Sequence, residues 1–244
     1  MQSDDLRRRA HHALDAVLDP ELDEPITDLG FVHSLDADDT GRITVHLRLP
    51  TSFCSPNFAY LMASDAKDVL SALSGAAAVT VVLDDHHDSD VINRGLAADA
   101  GFRGTFGPEA EQDLEELRAV FRRKAHAAAM ERALTRLLRT RPGLTDEGLY
   151  DVVLGDLPDD DTTRALLRRR AALGLDARPT APVLVDDHGD RPRPEDVPLR
   201  LRFARATRIS IEGNAHFCRG LLRTRYPDQA TDHQSIAPHK EAVS

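Results

Sequence analysis

Between Ile43 and Pro56 the hydrophobic pattern changes period, which fixes a strand-to-helix connection inside the first hundred residues. Ile43, Val45, Leu47 and Leu49 alternate with Thr44, His46 and Arg48, the period of two expected of a strand with one face buried. The alternation ends in Leu49-Pro50-Thr51-Ser52-Phe53-Cys54-Ser55-Pro56-Asn57. Ser55 is a good N-cap and Pro56 suits the first helical position, so a helix is predicted over about 56–73, ended by Gly75. Cys54 stands at the junction and is one of two cysteines in 244 residues. A thiol there lies beside unpaired backbone N–H groups and the positive end of the helix dipole, which favours the thiolate. Thiolate is the form that binds metal or attacks an electrophile.

Elements of matching size flank this junction. Ser3 caps a predicted helix with Asp4 and Asp5 in its first turn and Leu6, Ala10, Ala13, Leu14, Val17 and Leu18 at helical spacing, stopping near Asp19-Pro20. Residues 26–33 and the strand from Ile43 suggest a hairpin around the turn-rich 36–41. A further strand is expected at 79–83, then an acidic loop at 84–90 holding His86 and His87, then a short helix at 91–98. Helix, two strands, helix, strand and helix predict an α+β domain over residues 1–104, with a small sheet of about three strands and helices packed on it.

The rest of the chain reads as mainly helical. Leu114, Leu117, Phe121, Ala125, Ala128, Leu134, Leu137 and Leu138 mark one long helix over 109–139, ended by Pro142-Gly143. Thr145 and Asp160 or Asp161 start two more, completing a helical region at 105–175. Residues 176–226 read as a Pro-rich linker or extended cover followed by a short β/α segment: strands at Leu199, Leu201 and Phe203 and at Ile209 and Ile211, then a helix opened by Asn214. The tail from 227 to 244 is expected to be disordered.

Charge and cysteine content narrow the function classes. Net charge is −10 and is confined to the front: acidic residues outnumber basic ones by 18 to 8 over 1–105 and equal them, 23 to 23, over 106–244. An acidic surface repels nucleic acid and anionic membranes, so neither is expected as a partner. Two cysteines are too few for a disulfide framework, and no apolar signal core or membrane-length apolar run is present, so a cytoplasmic protein with reduced thiols is expected. The sequence has no Gly-rich phosphate loop, nucleophile elbow, CxxC or HExxH, which points away from a stand-alone enzyme of a common class.

Three segments in register give a sharper reading. Leu18-Asp19-Pro20-Glu21-Leu22, then Ile26-Thr27-Asp28-Leu29-Gly30-Phe31-Val32, then a strand leading into Pro50-Thr51-Ser52-Phe53-Cys54-Ser55-Pro56 make residues 1–100 resemble the metal–sulfur cluster assembly factor family, the PaaD-like and SufT-like proteins. The resemblance implies that the Asp-Pro-Glu turn and the Thr/Cys loop meet at one end of the sheet, so that Asp19, Glu21, Thr51 and Ser55 shape a site in which Cys54 transiently holds iron or an iron–sulfur cluster. Family members usually carry Pro directly after the Cys, whereas here Ser55 intervenes. The partners implied are other cluster-assembly proteins and a client iron or iron–sulfur enzyme. The long private extension favours a dedicated client, such as a bacterial multicomponent monooxygenase. A homodimer stays open.

Other residues carry chemistry that competes with structural readings. His86 and His87 suit iron or zinc, but adjacent loop histidines rarely reach one ion. Cys218 and His216 face different sides of a helix and chelate poorly there, although Cys218 meeting Cys54 would make a two-thiolate site. Arg168, Arg169 and Arg170 are read either as a solvated helix face or as a dock for an acidic partner. Cys54 itself has two further readings: a small buried hydrophobe in a metal-free docking or folding module, or the nucleophile of a thiol-dependent enzyme.

Overall fold

The computed structural model describes residues 2–107 and 114–227, which pack as two compact units. The first comprises residues 2–18, Glu24–Gly107 and residues 215–227; the second comprises Asp19–Asp23 and residues 114–214. The fold is α+β, with one three-stranded sheet and seven α-helices among the described residues.

The first unit contains α1 (Gln2–Leu14), β1 (Val32–Ala37), β2 (Arg42–Arg48), α2 (Pro56–Ser71), β3 (Ala78–Asp84), α3 (Ser89–Ala97) and α4 (Gly101–Phe106). The strand order is β1-β2-β3, with β1 antiparallel and β3 parallel to β2, so α2 is the crossover that a parallel pair requires. The alternation that marks β2 buries Ile43, Val45 and Leu47 at 2% exposure or less. Leu6, Ala10 and Leu14 of α1, Met62, Ala66 and Leu70 of α2, and Ile92 and Leu96 of α3 are buried as well, with α1 packed against β1 and α2 and α3 against β3, so the core is aliphatic. Each such buried Leu or Ile contributes about 1.5–3 kcal/mol relative to exposure. Asn93 of α3 fastens helix to sheet by accepting from the Leu83 amide and donating to the Leu83 carbonyl.

Two local expectations shift. Residues 27–30, expected within the first strand, form a turn: the Leu29 amide donates to Pro25 and the Gly30 amide to Thr27, with Gly30 at φ +76°. A residue in the left-handed region cannot continue a strand, so β1 starts at Val32. Ser3, expected as the cap of α1, lies inside that helix, and its amide donates to Asp39. The hairpin loop is closed by Asp38, whose Oδ1 accepts from the Thr40 and Arg42 amides and from the Thr40 hydroxyl. A Cβ on Gly41 (φ +82°) would run into the Gly75 carbonyl oxygen.

The second unit is built on α5 (Leu114–Thr140), whose Ala129, Met130, Ala133, Leu134 and Leu137 meet Leu166 of α6 (Asp161–Ala172) and the 3₁₀ segments at Glu147–Asp151 and Leu154–Asp156. Asp160 caps α6 as expected, its Oδ1 accepting from the Thr163 amide. Residues 181–185 serve as core cover: Val183 and Leu184 are fully buried, and the Leu154 and Val183 amides bond to Ala181 and Val152. Glu131, 2% exposed, accepts from Thr135, Arg205 and Arg208.

The two strands expected near Leu199–Phe203 and Ile209–Ile211 are helical. Both lie in α7 (Val197–Arg225), and Asn214 is inside that helix, not at its start. Val197, Ala204, Ile211, Ala215 and Leu222 are the buried positions, spaced by a helical period, while Leu199 and Phe203 are exposed. The short-range alternation competes with that longer register and loses, because only the helix buries a continuous stripe. No helix among the described residues is long and apolar enough to cross a membrane.

Candidate functional site

Cys54 lies on a loop that its own residues hold in shape. Leu49, the last inward residue of the β2 pattern, is buried and anchors the loop start. The Thr51 hydroxyl accepts from the Phe53 amide at 3.2 Å, and its Oγ1 lies 3.5 Å from Cys54 Sγ. Cys54 is half-buried, so its sulfur is neither sealed in the core nor fully exposed. Ser55 is the N-cap of α2, as predicted, but its hydroxyl caps nothing. The Ser55 carbonyl instead accepts from the Phe58 and Ala59 amides, and Pro56 at the first helical position removes one donor. The cap therefore works through its backbone and leaves the N-terminal amides beside Cys54 without a side-chain acceptor from Ser55.

The loop after β3 braces this one. His86 is 5% exposed, and both its ring nitrogens are engaged: Nδ1 accepts from the Asp88 amide at 3.0 Å, and Nε2 pairs with the Cys54 carbonyl oxygen at 2.9 Å. An amide can only donate, so Nδ1 carries no hydrogen and the Nε2–H donates to Cys54. The His87 amide donates to the Ser52 carbonyl at 2.9 Å, while its exposed ring stands 5.8 Å from the ring of Phe53, itself 81% exposed. Asp85, at φ +51°, makes the sharp bend that turns β3 into this loop.

A third segment reaches the same two loops. Arg225, at the end of α7, donates to the Leu49 carbonyl (3.1 Å), the Ser52 hydroxyl (2.9 Å) and the Asp85 carbonyl (2.5 Å). The Tyr226 hydroxyl donates to Asp85 Oδ2 at 3.1 Å, and its ring lies 4.8 Å from the buried Arg48 guanidinium. Burial, helped by the Asp85 bond, pushes the Tyr226 hydroxyl pKa up, and burial pulls that of Arg48 down. Nothing in the local pattern at 225–226 signals this role, since an Arg in a last helical turn is ordinary dipole pairing.

The other predicted residues have local partners of their own. Asp19 is buried and caps its own turn, its Oδ1 accepting from the Glu21 and Leu22 amides at 2.9 and 2.8 Å, and Glu21 accepts from Asn214. That turn, Asp19–Asp23, groups with the second unit, whereas Cys54 belongs to the first. His216 is exposed and Cys218 half-buried, both well inside α7, and neither cysteine forms a disulfide. Of the three arginines read as a dock, Arg170 is fully buried and donates to the Asp176 and Pro182 carbonyls, and Arg169 pairs with Asp23; Arg168 is exposed. Arg170 is thus a core brace and is unavailable for docking.

Potential metal donors are few at this loop. Among the described residues no group of three or more His, Cys, Asp or Glu is arranged to hold a metal ion. At the loop the donors are one thiol beside a hydroxyl, with the exposed His87 at the rim and His86 used up by its two hydrogen bonds.

Comparison with solved structures finds a crystal structure of a domain of unknown function, DUF59, from Bacillus anthracis, at 24% identity over 41% of this chain and 96% of that one, with a TM-score of 0.32. Comparison with the curated proteins finds no match. Residues 7–83 match the model of the family described as iron-sulfur cluster assembly protein, a stretch that contains the Asp19–Asp23 turn, the sheet, α2 and the Cys54 loop. The chain thus carries a domain of the iron–sulfur cluster assembly type in residues 7–83, and the family match does not reach the remainder.

Proposed function

We propose that this protein serves iron–sulfur cluster or iron-centre assembly with Cys54 as the transient handhold for iron or a cluster, and that it delivers to a dedicated iron enzyme such as a multicomponent monooxygenase. The observation that carries the reading is the pairing of Thr51 Oγ1 with Cys54 Sγ, on a braced loop at the start of α2 and inside the matched stretch. A thiolate there is a soft ligand for iron, and the Thr51 hydroxyl donates to the sulfur and moderates its charge. A donor protein's thiolates leave the iron as Cys54 binds it, and a client's thiolates later displace Cys54. The second unit, with its own core, provides a surface for choosing the client.

The test is anaerobic loading of the full chain with ferrous iron and sulfide, followed by iron and sulfide analysis and visible absorbance. Wild type and Cys218→Ser are expected to load, and Cys54→Ser to lose most of the iron and the absorbance. Equal loading of Cys54→Ser overturns the handhold, and no loading of any variant favours a metal-free docking module. Co-purification from the native host tests the client, and a partner set without an iron enzyme counts against it.

A further inference from the structure

The Cys54 loop is held by residues that lie far outside the family-matched stretch. Three acceptors converge on Arg225: the carbonyl that ends the β2 run, a hydroxyl two residues before Cys54, and the carbonyl of the bend residue Asp85. They come from both loops that frame the thiol, and a planar guanidinium fork can serve them together where a Lys point charge cannot. Tyr226 adds a bond to the Asp85 carboxylate and lays its ring against Arg48 of β2. One turn earlier Leu222 is buried, and it would lie 3.3 Å from a Cβ on Gly30. The Tyr226 amide still donates to the Leu222 carbonyl, which keeps the last turn wound up to the clamp.

We infer that Arg225 and Tyr226 are positioning residues for Cys54: the last turn of α7 is a clamp that ties the 49–54 loop to the loop after β3 and sets how accessible the thiol is. The assembly-type domain of this chain is therefore completed by its C-terminal helix. Seated, the clamp holds the sulfur beside Thr51; released, it frees the loop and exposes the thiol. The bearing of this clamp on iron handling rests on the proposed role of Cys54, but the clamp itself does not.

The test uses the full chain in a Cys218→Ser background, so that Cys54 is the only thiol. Its rate of alkylation by iodoacetamide is measured at fixed pH, together with hydrogen exchange in the 49–54 and 84–88 segments. Arg225→Ala is expected to raise the alkylation rate about tenfold, as loss of several loop hydrogen bonds implies, and to speed exchange in both segments. Arg225→Lys recovers part of the effect, and Tyr226→Phe gives a smaller rise. Arg223→Ala, an exposed residue in the same turn, leaves both readouts unchanged. Wild-type rates and exchange in Arg225→Ala overturn the clamp. If that variant loses helix by circular dichroism, Tyr226→Phe, which removes one hydroxyl, decides: a faster rate supports the clamp and an unchanged one overturns it. No iron enters the measurement, so failure of the handhold reading leaves this result standing.

Discussion

The imidazole of His86 donates from Nε2 to the carbonyl oxygen of Cys54 across 2.9 Å, while its Nδ1 accepts the Asp88 amide. A histidine next to an acidic bend and next to a second histidine invites a metal, yet here both nitrogens are spent on backbone. His86 converts the carbonyl of the thiol-bearing residue into a fixed point, so the sulfur is aimed by a residue 32 positions away in sequence.

Removing that brace is expected to cost stability as well as order. His86→Ala removes a buried side chain and leaves the part-buried Cys54 carbonyl and Asp88 amide without it, a loss of about 2 kcal/mol. His87→Ala removes an exposed ring whose amide still bonds Ser52, so its cost is within about 0.5 kcal/mol. Urea unfolding of the two variants measures the difference. Equal midpoints would show that the His86 ring holds nothing.

Arg170 and Arg168 make a similar contrast in the second unit. Arg170→Ala opens a cavity and strands the Asp176 and Pro182 carbonyls, with a cost of about 3 kcal/mol. Arg168→Ala is expected to be nearly neutral, because that side chain is exposed. Thermal unfolding checks the pair, and a neutral Arg170→Ala would contradict the buried-brace assignment.

The strand-to-helix junction was legible because two periods meet there: β2 and α2 start within one residue of their predicted positions, and Cys54 falls between them as read. The family resemblance on Leu18–Leu22, Ile26–Val32 and Pro50–Pro56 falls within the matched stretch. What stayed hidden depends on contacts distant in sequence. His86 is a ligand by type and a brace by its two partners; Arg170 is one of three arginines until the fold buries it. Leu199, Leu201 and Phe203 alternate over five residues, too short a window to reveal the 29-residue register of α7. Arg225 lay beyond reach for the same reason, since its acceptors are 140 to 176 residues away.

Glu131 ties acid sensitivity to the arginines of α7. Burial alone would raise its pKa, but hydrogen bonds from Arg205, Thr135 and Arg208 hold it below the usual carboxylate value. A depressed carboxylate contributes stability above the unfolded pKa, and that contribution is lost as pH falls through the folded value. Glu131→Gln is therefore expected to cost about 2 kcal/mol at pH 7 and progressively less below about pH 4.5. Urea midpoints at pH 7 and pH 3 test it; a penalty that is the same at both would place the effect in packing and not in charge.

His126 acts in a higher pH window. It is 1% exposed on α5, its Nε2 has no hydrogen-bond partner, and desolvation, followed by the nearby Arg170 guanidinium, lowers its pKa to about 4. Asp187 opposes that shift without cancelling it. The unfolded chain takes up this proton near pH 6.5, whereas the folded chain refuses it until about pH 4. Over that interval the unfolded state binds more protons, so stability falls as pH falls, by an amount on the order of 3 kcal/mol, and levels off below pH 4 with respect to this group. His126→Leu, which fills similar volume and cannot titrate, is expected to flatten the urea midpoint between pH 6.5 and 4.5 while leaving the Glu131-dependent loss at lower pH in place. The same slope in wild type and His126→Leu would move the acid sensitivity to another group.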